Sequence, residues 1–175
     1  NEEMAKWLYT RAPGKLYPMM SNCTSKIEAI NKHVSWGHNY AWDICVNISD
    51  DQEFTKPGFD LDVLLAFQNF DGLVHFVDKH NSPVCTLSMV SRTYYLEDNF
   101  IYHPRFRSIY ADNFQQELAK SRNAYKFVNK EIFCHNHWRW GLSEKDASYD
   151  KNESPEMYAH DLAVRNQLRK EYNLI

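Results

Sequence analysis

At 175 residues the chain is long enough to bury a core of its own without disulfide or metal staples, and 43% hydrophobic with 25% charged residues is a globular composition. A formal net charge of −3 with scattered basic residues argues against a nucleic-acid-binding face, which needs clustered cations. No apolar run approaches the roughly 18 residues of a membrane-spanning helix, so neither nucleic acid nor membrane is an expected partner.

Residues 1–20, with Pro13, Gly14 and Pro18, read as an extended N-terminal arm, and residues 21–175 as one domain. The start is acidic and lacks a secretory apolar stretch. Ser25-Lys26-Ile27-Glu28 has the form of a capping box and opens a short helix to about His33, with Ile27 and Ile30 on one side. Trp42 to Ile48 alternates apolar and polar residues, the pattern of a half-buried strand. Asp60 is placed to cap a helix from Leu61 to about Phe70, with Leu61, Leu64, Leu65 and Phe67 as its inward stripe.

Three strand-like runs follow: Leu73 to Asp78, Val84 to Val90 and Tyr94 to Tyr102. Lys79 to Pro83 reads as the turn between the first two, so the three predict an antiparallel meander. Asp112 and Gln115 mark a helix with Phe114, Leu118, Ser121, Tyr125 and Val128 facing inward. Glu131 to His135 is a short strand, and Ser154-Pro155-Glu156 starts a last helix to about Tyr172. This order predicts an α+β domain: a mixed, mostly antiparallel sheet with helices on both faces.

Cys23, Cys45, Cys85 and Cys134 are widely scattered, which fits reduced thiols in a cytoplasmic protein better than a disulfide framework. Glycosylation sequons at Asn22, Asn47 and Asn152 keep a secreted, disulfide-bonded form as the lesser alternative. In Cys134-His135-Asn136-His137, adjacent residues of a strand point to opposite faces. At most Cys134 with Asn136, or His135 with His137, could share a site; the two histidines could bind zinc with a third ligand, but no spaced partner pair stands out, so no metal is expected. Trp138-Arg139-Trp140 offers aromatic surface to a ligand or a protein partner. A Gly-x-Ser-x-Gly elbow and a Walker-type phosphate loop are both absent, which sets aside those enzyme classes.

The stretch Tyr94 to Ser108, YYLEDNFIYHPRFRS, in this element order resembles the heart of the GNAT family of acetyl-CoA-dependent N-acetyltransferases. In that family a strand patterned L-x-x-L-x-V-x-P-x-x-R-G-x-G-x-G ends in a loop whose amides, with the following helix, hold the pyrophosphate of coenzyme A. The resemblance spans roughly residues 60–135, with Pro104 and Arg107 at the family's proline and arginine. It implies a GNAT-like fold with acetyl-CoA as cofactor and a small-molecule or protein amine as acceptor. Phe100, Ile101 and Tyr102 would then run along the pantetheine, Arg105, Arg107 and Ser108 would meet the phosphates, and Glu97 or His103 would act as base. Ser108 to Ala111 stand where the family carries glycines, and from this a second expectation follows. It is a non-catalytic interaction protein with an acetyltransferase-like fold, cytoplasmic or virion-associated in a phage, that meets protein partners through aromatic surfaces.

Overall fold

The structure is a computed structural model that describes Met19 and residues 21–37, 42–145 and 147–174. The arm expected over residues 1–20 lies outside the described residues apart from Met19. In chain order the elements are α1 (Lys26–Gly37), β1 (Ile44–Asn47), β2 (Gln52–Phe54), α2 (Phe59–Phe67), β3 (Leu73–Asp78), β4 (Ser88–Ser91), α3 (Arg92–Asp98) and α4 (Ala111–Ser121). After these come β5 (Tyr125–His135), a single 3-10 turn (Trp138–Trp140), α5 (Ala147–Asn152) and α6 (Pro155–Glu171).

All six residues of β3 are buried, which is why Leu-Val-His-Phe-Val-Asp reads as a nearly continuous apolar run. It is the middle strand of a five-stranded sheet ordered β1-β4-β3-β5-β2. Its pairing with β5 is parallel, whereas β1–β4, β3–β4 and β2–β5 are antiparallel. The expected α+β class with a mixed, mostly antiparallel sheet is therefore present. Successive β3 residues serve opposite faces. Leu73 packs with Ile27, Tyr94, Tyr95, Phe114, Leu118 and Leu168, drawn from α1, α3, α4 and α6. Val74 and Phe76 pack with Val63, Ala66 and Phe67 of α2, and with Ile132 and Phe133. Helices thus cover both faces.

The helix starts follow their sequence signals. Glu28 N donates to Ser25 Oγ (3.1 Å) and Met157 N to Ser154 Oγ (3.2 Å), as the two capping serines require. Glu28 itself reaches the amide and hydroxyl of Thr24. All four cysteines are free thiols. Among the described residues no helix is long and apolar enough to cross a membrane.

Three expectations are corrected. Tyr94 to Tyr102 is not a strand: α3 occupies Arg92–Asp98, and the chain to Tyr102 has no regular structure. The reason lies just upstream, where Ser91 Oγ accepts from Tyr94 N and nucleates a helix whose neighbouring Tyr94 and Tyr95 supply its buried side. Asn99, with φ of 59°, then ends it in the left-handed region. The meander accordingly has two strands, and the second is only Ser88–Ser91 of the expected Val84 to Val90.

The inward face of α2 is also turned. Leu61, Leu64 and Leu65 are 61%, 58% and 65% exposed, while Val63, Ala66 and Phe67 are buried. Gly58 (φ 77°) starts the helix earlier, at Phe59, whose ring stacks on Phe54 with centroids 3.5 Å apart, and this contact fixes the helix's rotation. Finally, Tyr125 and Val128 belong to β5 rather than to the preceding helix, because Asn123 (φ 56°) reverses the chain there. The short strand expected from Glu131 begins at Tyr125 for that reason.

Since β1 and β3 each run antiparallel to β4, and β5 runs parallel to β3, β1, β3 and β5 all point the same way. Their carboxyl ends share one edge, the place where open α/β sheets bind ligands. The junction that sets this register is tight. Gly72 has φ of 153°, and a Cβ there would lie 2.2 Å from the Ala124 carbonyl oxygen, which already accepts from Leu73 N at 2.8 Å. Gly72→Ala is expected to destabilise the fold by about 2–4 kcal/mol, because it sets side chain against fixed backbone. Denaturant unfolding of the two proteins checks this, and a loss under about 0.5 kcal/mol would show that the junction yields.

Candidate active site

The residues singled out around the Tyr94 to Ser108 stretch are occupied by structural work. Glu97 is exposed on α3 and pairs with Arg122 at 3.3 Å. His103 is enclosed by the rings of Phe100, Phe106, Phe114 and Tyr172, and its Nδ1 accepts from Arg105 N (3.3 Å). Burial pushes its imidazole below the usual histidine range, and Arg105 adds to that. The amides of Ile101 and Tyr102 both donate to Asn31 Oδ1 (3.0 and 3.2 Å). Their carbonyls accept from Gln115 Nε2 (2.8 Å) and Asn31 Nδ2 (2.7 Å). Arg105 makes a two-pronged pair with Glu171, both contacts at 3.0 Å.

The loop after Pro104 is a cradle for an anion, and the anion is the protein's own. Arg107 N, Ser108 N and Ile109 N all donate to the carboxylate of Asp161, at 3.1, 2.8 and 2.8 Å. Asp161 has no exposed surface. These amides have no donor left for a diphosphate, so the groups expected to hold coenzyme A are engaged inside the fold. In the folded chain the amides of Ile101, Tyr102, Arg107 and Ser108 are thus bonded internally, Arg105 is paired with Glu171, Glu97 with Arg122, and Phe100 packs edge-on against His103.

A different constellation gathers at the carboxyl edge of the sheet. The turn Ser49-Asp50-Asp51 leaves β1 and enters β2, and it is locked from several sides. Buried Gln52 accepts from Ser49 N (3.0 Å) and donates to Thr86 O (3.0 Å). Asn136 N, just past β5, donates to the Asp51 carbonyl (2.7 Å). The Asp51 carboxylate accepts from the Ser49 hydroxyl and from Tyr149 of α5 (2.7 Å), and lies 3.0 Å from His135 Nε2. Burial alone would raise this carboxyl, but hydrogen bonds with His135, Ser49 and Tyr149 outweigh it and hold the group well below the usual carboxylate range. Burial and the nearby Asp51 charge push the Tyr149 hydroxyl up, so it stays a proton donor.

This turn lines an open cavity of about 630 Å³, together with Lys26, His33, Asn47, Asn136, Ser143, Glu144, Tyr149 and Asn152. Asp50 is exposed there and makes no hydrogen bond or ion pair with the described residues. A recess of about 100 Å³ shares Lys26, Asn47 and Ser49 with that cavity and adds His135, Tyr102 and Asp112. Asp112 sits in the first turn of α4 and accepts from Asn113 N (2.8 Å). Burial pushes its carboxyl above the usual range, and the Asn113 amide and the Lys26 charge offset this only in part.

Two aspartates of opposite character therefore line two cavities that share Lys26, Asn47 and Ser49: Asp51 fixed as the anion, and Asp112 with its proton held more tightly. Divergent carboxyl pairs of this kind divide acid–base work. The two histidines weighed for a cation each face an acid instead, His135 on Asp51 and His137 on Glu153 (3.2 Å). Among the described residues no three His, Cys, Asp or Glu side chains are grouped to hold a metal unaided. Sequence reasoning passed over Asp50 and Asp51 and used Asp112 only as a helix signal. The available sign was two acids directly after the alternating strand, where a carboxyl edge begins.

The sign of the Asp112 effect is testable. Its folded pKa is raised above the unfolded one, so it contributes to stability only at low pH. That contribution is lost as pH rises from the ordinary aspartate value of 3.8 through the elevated folded value. Asp112→Asn is expected to raise the melting temperature by a few degrees at neutral pH and to gain little in mild acid. Thermal unfolding at the two pH values checks this, and an equal effect at both would place Asp112 in an ordinary solvated setting.

Comparison of the chain with protein-family models, with curated proteins and with solved structures returned no match.

Proposed function

We propose that the protein is a transferase that moves a polyhydroxylated, sugar-like group from a diphosphate-activated donor to an acceptor hydroxyl. The observation that carries this reading is the pair of unlike carboxyls, Asp51 and Asp112, in two cavities that share Lys26, Asn47 and Ser49 at the carboxyl edge of the sheet. A base whose proton affinity is raised toward the working pH is the more effective one. Asp112 takes the proton from the acceptor hydroxyl, the acceptor oxygen bonds to the donor carbon, and the bond from that carbon to the diphosphate oxygen breaks. The leaving diphosphate carries negative charge away from the reacting carbon.

The unpaired carboxylate of Asp50 beside ionised Asp51 would repel a bare diphosphate. A divalent cation reconciles them, since magnesium is commonly held by one or two carboxylates plus substrate phosphates rather than by a cage of protein ligands. Lys26, which lines both cavities, adds a second positive charge. The side-chain amides of Asn47, Asn136 and Asn152, the hydroxyls of Ser49 and Ser143 and the ring of Tyr149 supply the polar, planar lining that hydroxyl-rich groups require. A volume of about 630 Å³ suits a small molecule.

The acyl-coenzyme A reading loses its phosphate surface to Asp161. The reading as a non-catalytic interaction protein, virion-associated or otherwise, draws on one observation, the exposed leucines of α2.

Thermal unfolding with uridine, guanosine or adenosine diphosphate, each with and without magnesium, tests the proposal. One nucleotide should raise the melting temperature by several degrees only when magnesium is present, and Asp50→Asn should remove the rise. Asp112→Asn should keep the rise and abolish turnover. If no diphosphate stabilises the protein in a magnesium-dependent way, the transferase reading fails and the interaction reading stands.

A further inference from the structure

The outer side of the loop that wraps Asp161 faces a second cleft, of about 590 Å³, which no step above uses. Its walls come from the start of α1 (Thr24, Ser25, Glu28), the loop (Pro104 to Arg107), the end of α5 (Lys151, Asn152) and the start of α6 (Met157, His160). Cationic groups dominate it. Arg107 and Lys151 are both exposed, and neither side chain makes an ion pair or hydrogen bond with the described residues. Arg105 is present but engaged with Glu171. His160 Nδ1 is taken by Asp161 at 2.8 Å. The one carboxylate in the lining, Glu28, is already engaged with the amide and hydroxyl of Thr24.

Two helices of 12 and 17 residues also begin at this cleft, so the positive ends of both dipoles border it. In a chain of net charge −3, two unpaired cations and two helix starts around one concavity are a local inversion of sign. The cleft adjoins the Asp50–Asp51 cavity, because Asn152 lines both and Ser25 precedes Lys26.

We infer that this cleft is the acceptor subsite and takes a phosphate group carried by a small acceptor molecule. Arg107 and Lys151 clamp its oxygens while the rest of the acceptor extends past Asn152 into the Asp50–Asp51 cavity, which shares Lys26, Asn47 and Ser49 with the Asp112 recess. A phosphate fits better than a neutral polyol because two charge-assisted contacts converge on it, and Arg107 can present two parallel N–H groups. The acceptor role rests on the transferase reading, whereas the binding of phosphate here does not.

The probes separate the two. Inorganic phosphate is titrated into the magnesium-free protein and followed by amide chemical shifts. Changes are expected at residues 24–28, 105–107 and 151–160, the walls of the cleft. The double variant Arg107→Ala/Lys151→Ala should weaken phosphate binding by roughly tenfold or more, the loss of two charge-assisted contacts. Both side chains are exposed and without partners among the described residues, so this variant should fold as the parent does. Asp50→Asn should leave phosphate binding unchanged.

Ribose 5-phosphate should bind with the same dependence on Arg107 and Lys151, and ribose should not bind. Shift changes confined to the Asp50–Asp51 turn, or binding indifferent to the double variant, would overturn the subsite. Loss of magnesium-dependent nucleotide binding with this phosphate response intact would overturn the transferase reading alone.

Discussion

A carboxylate with no exposed surface holds the domain's working parts in register. Asp161 of α6 accepts three consecutive amides, Arg107, Ser108 and Ile109, and pairs with His160. An unpaired charge could not be kept out of water in this way; three backbone donors and an imidazole satisfy it. The bond set works in both directions, because the same amides, turned inward without Asp161, would be unsatisfied donors. It joins the C-terminal helix to the loop that delivers Tyr110, at φ of 60°, and then α4. A second tie lies further along, where Arg165 and Arg169 of α6 hold Glu117 of α4. Between these anchors the first turn of α4 has little freedom, and that turn carries Asp112.

The sheet completes the placement from the other side. β1, β3 and β5 run the same way, so Asn47 and His135 end at one edge, and the Ser49 to Asp51 turn crosses from β1 to β2, whose first residue Gln52 pairs with His135 of β5. The two acids then diverge for different reasons. Asp51 keeps its charge because a hydroxyl, a phenol and an imidazole are aimed at it. Asp112 resists charging because desolvation outweighs its few favourable contacts. Burial acts on both, and the number of donors decides the outcome.

Much of the fold was legible in the sequence, and the failures have local causes. The capping signals of Ser25 and Ser154 worked because a cap is a short-range event, one hydroxyl and one amide three residues on. The alternation of Trp42 to Ile48 located β1, and the apolar run from Leu73 located the buried centre. The stretch from Tyr94 misled because tyrosines and isoleucine suit a strand by composition, while the deciding residue was Ser91, which faces two ways. Its hydroxyl accepts from Gly72 N (3.1 Å) as well as from Tyr94 N, so one side chain ends β4, starts α3 and braces the β3 junction. No window-based pattern sees that. The leucines of α2 were assigned inward because leucine usually is, and the Phe54–Phe59 stack that turns them out is a contact between separate elements. The candidate site was the least legible part. Asp51, Asp112, His135 and Tyr149 are far apart in sequence, and it is the β2–β5 pairing and the packing of helices on the sheet that bring them together.

The loop after Pro104 is an anion cradle of the kind its sequence suggests, and the anion its amides meet is the carboxylate of Asp161. Successive backbone amides in a tight loop form a concavity for negative charge, whatever its source. Glycine is needed where a bulky external phosphate must approach the backbone. A single aspartate on a packed helix reaches the same amides from inside, past Ile109 and Tyr110, with no glycine required. The inward face is then neutralised, but the loop's charged side chains are not consumed, since Arg107 gives its amide to Asp161 and keeps its guanidinium outside. One residue thus serves the fold through its backbone and leaves its cation to the surface. This division lets a loop whose amides are spent inside the fold still present a cation to the cleft beside it.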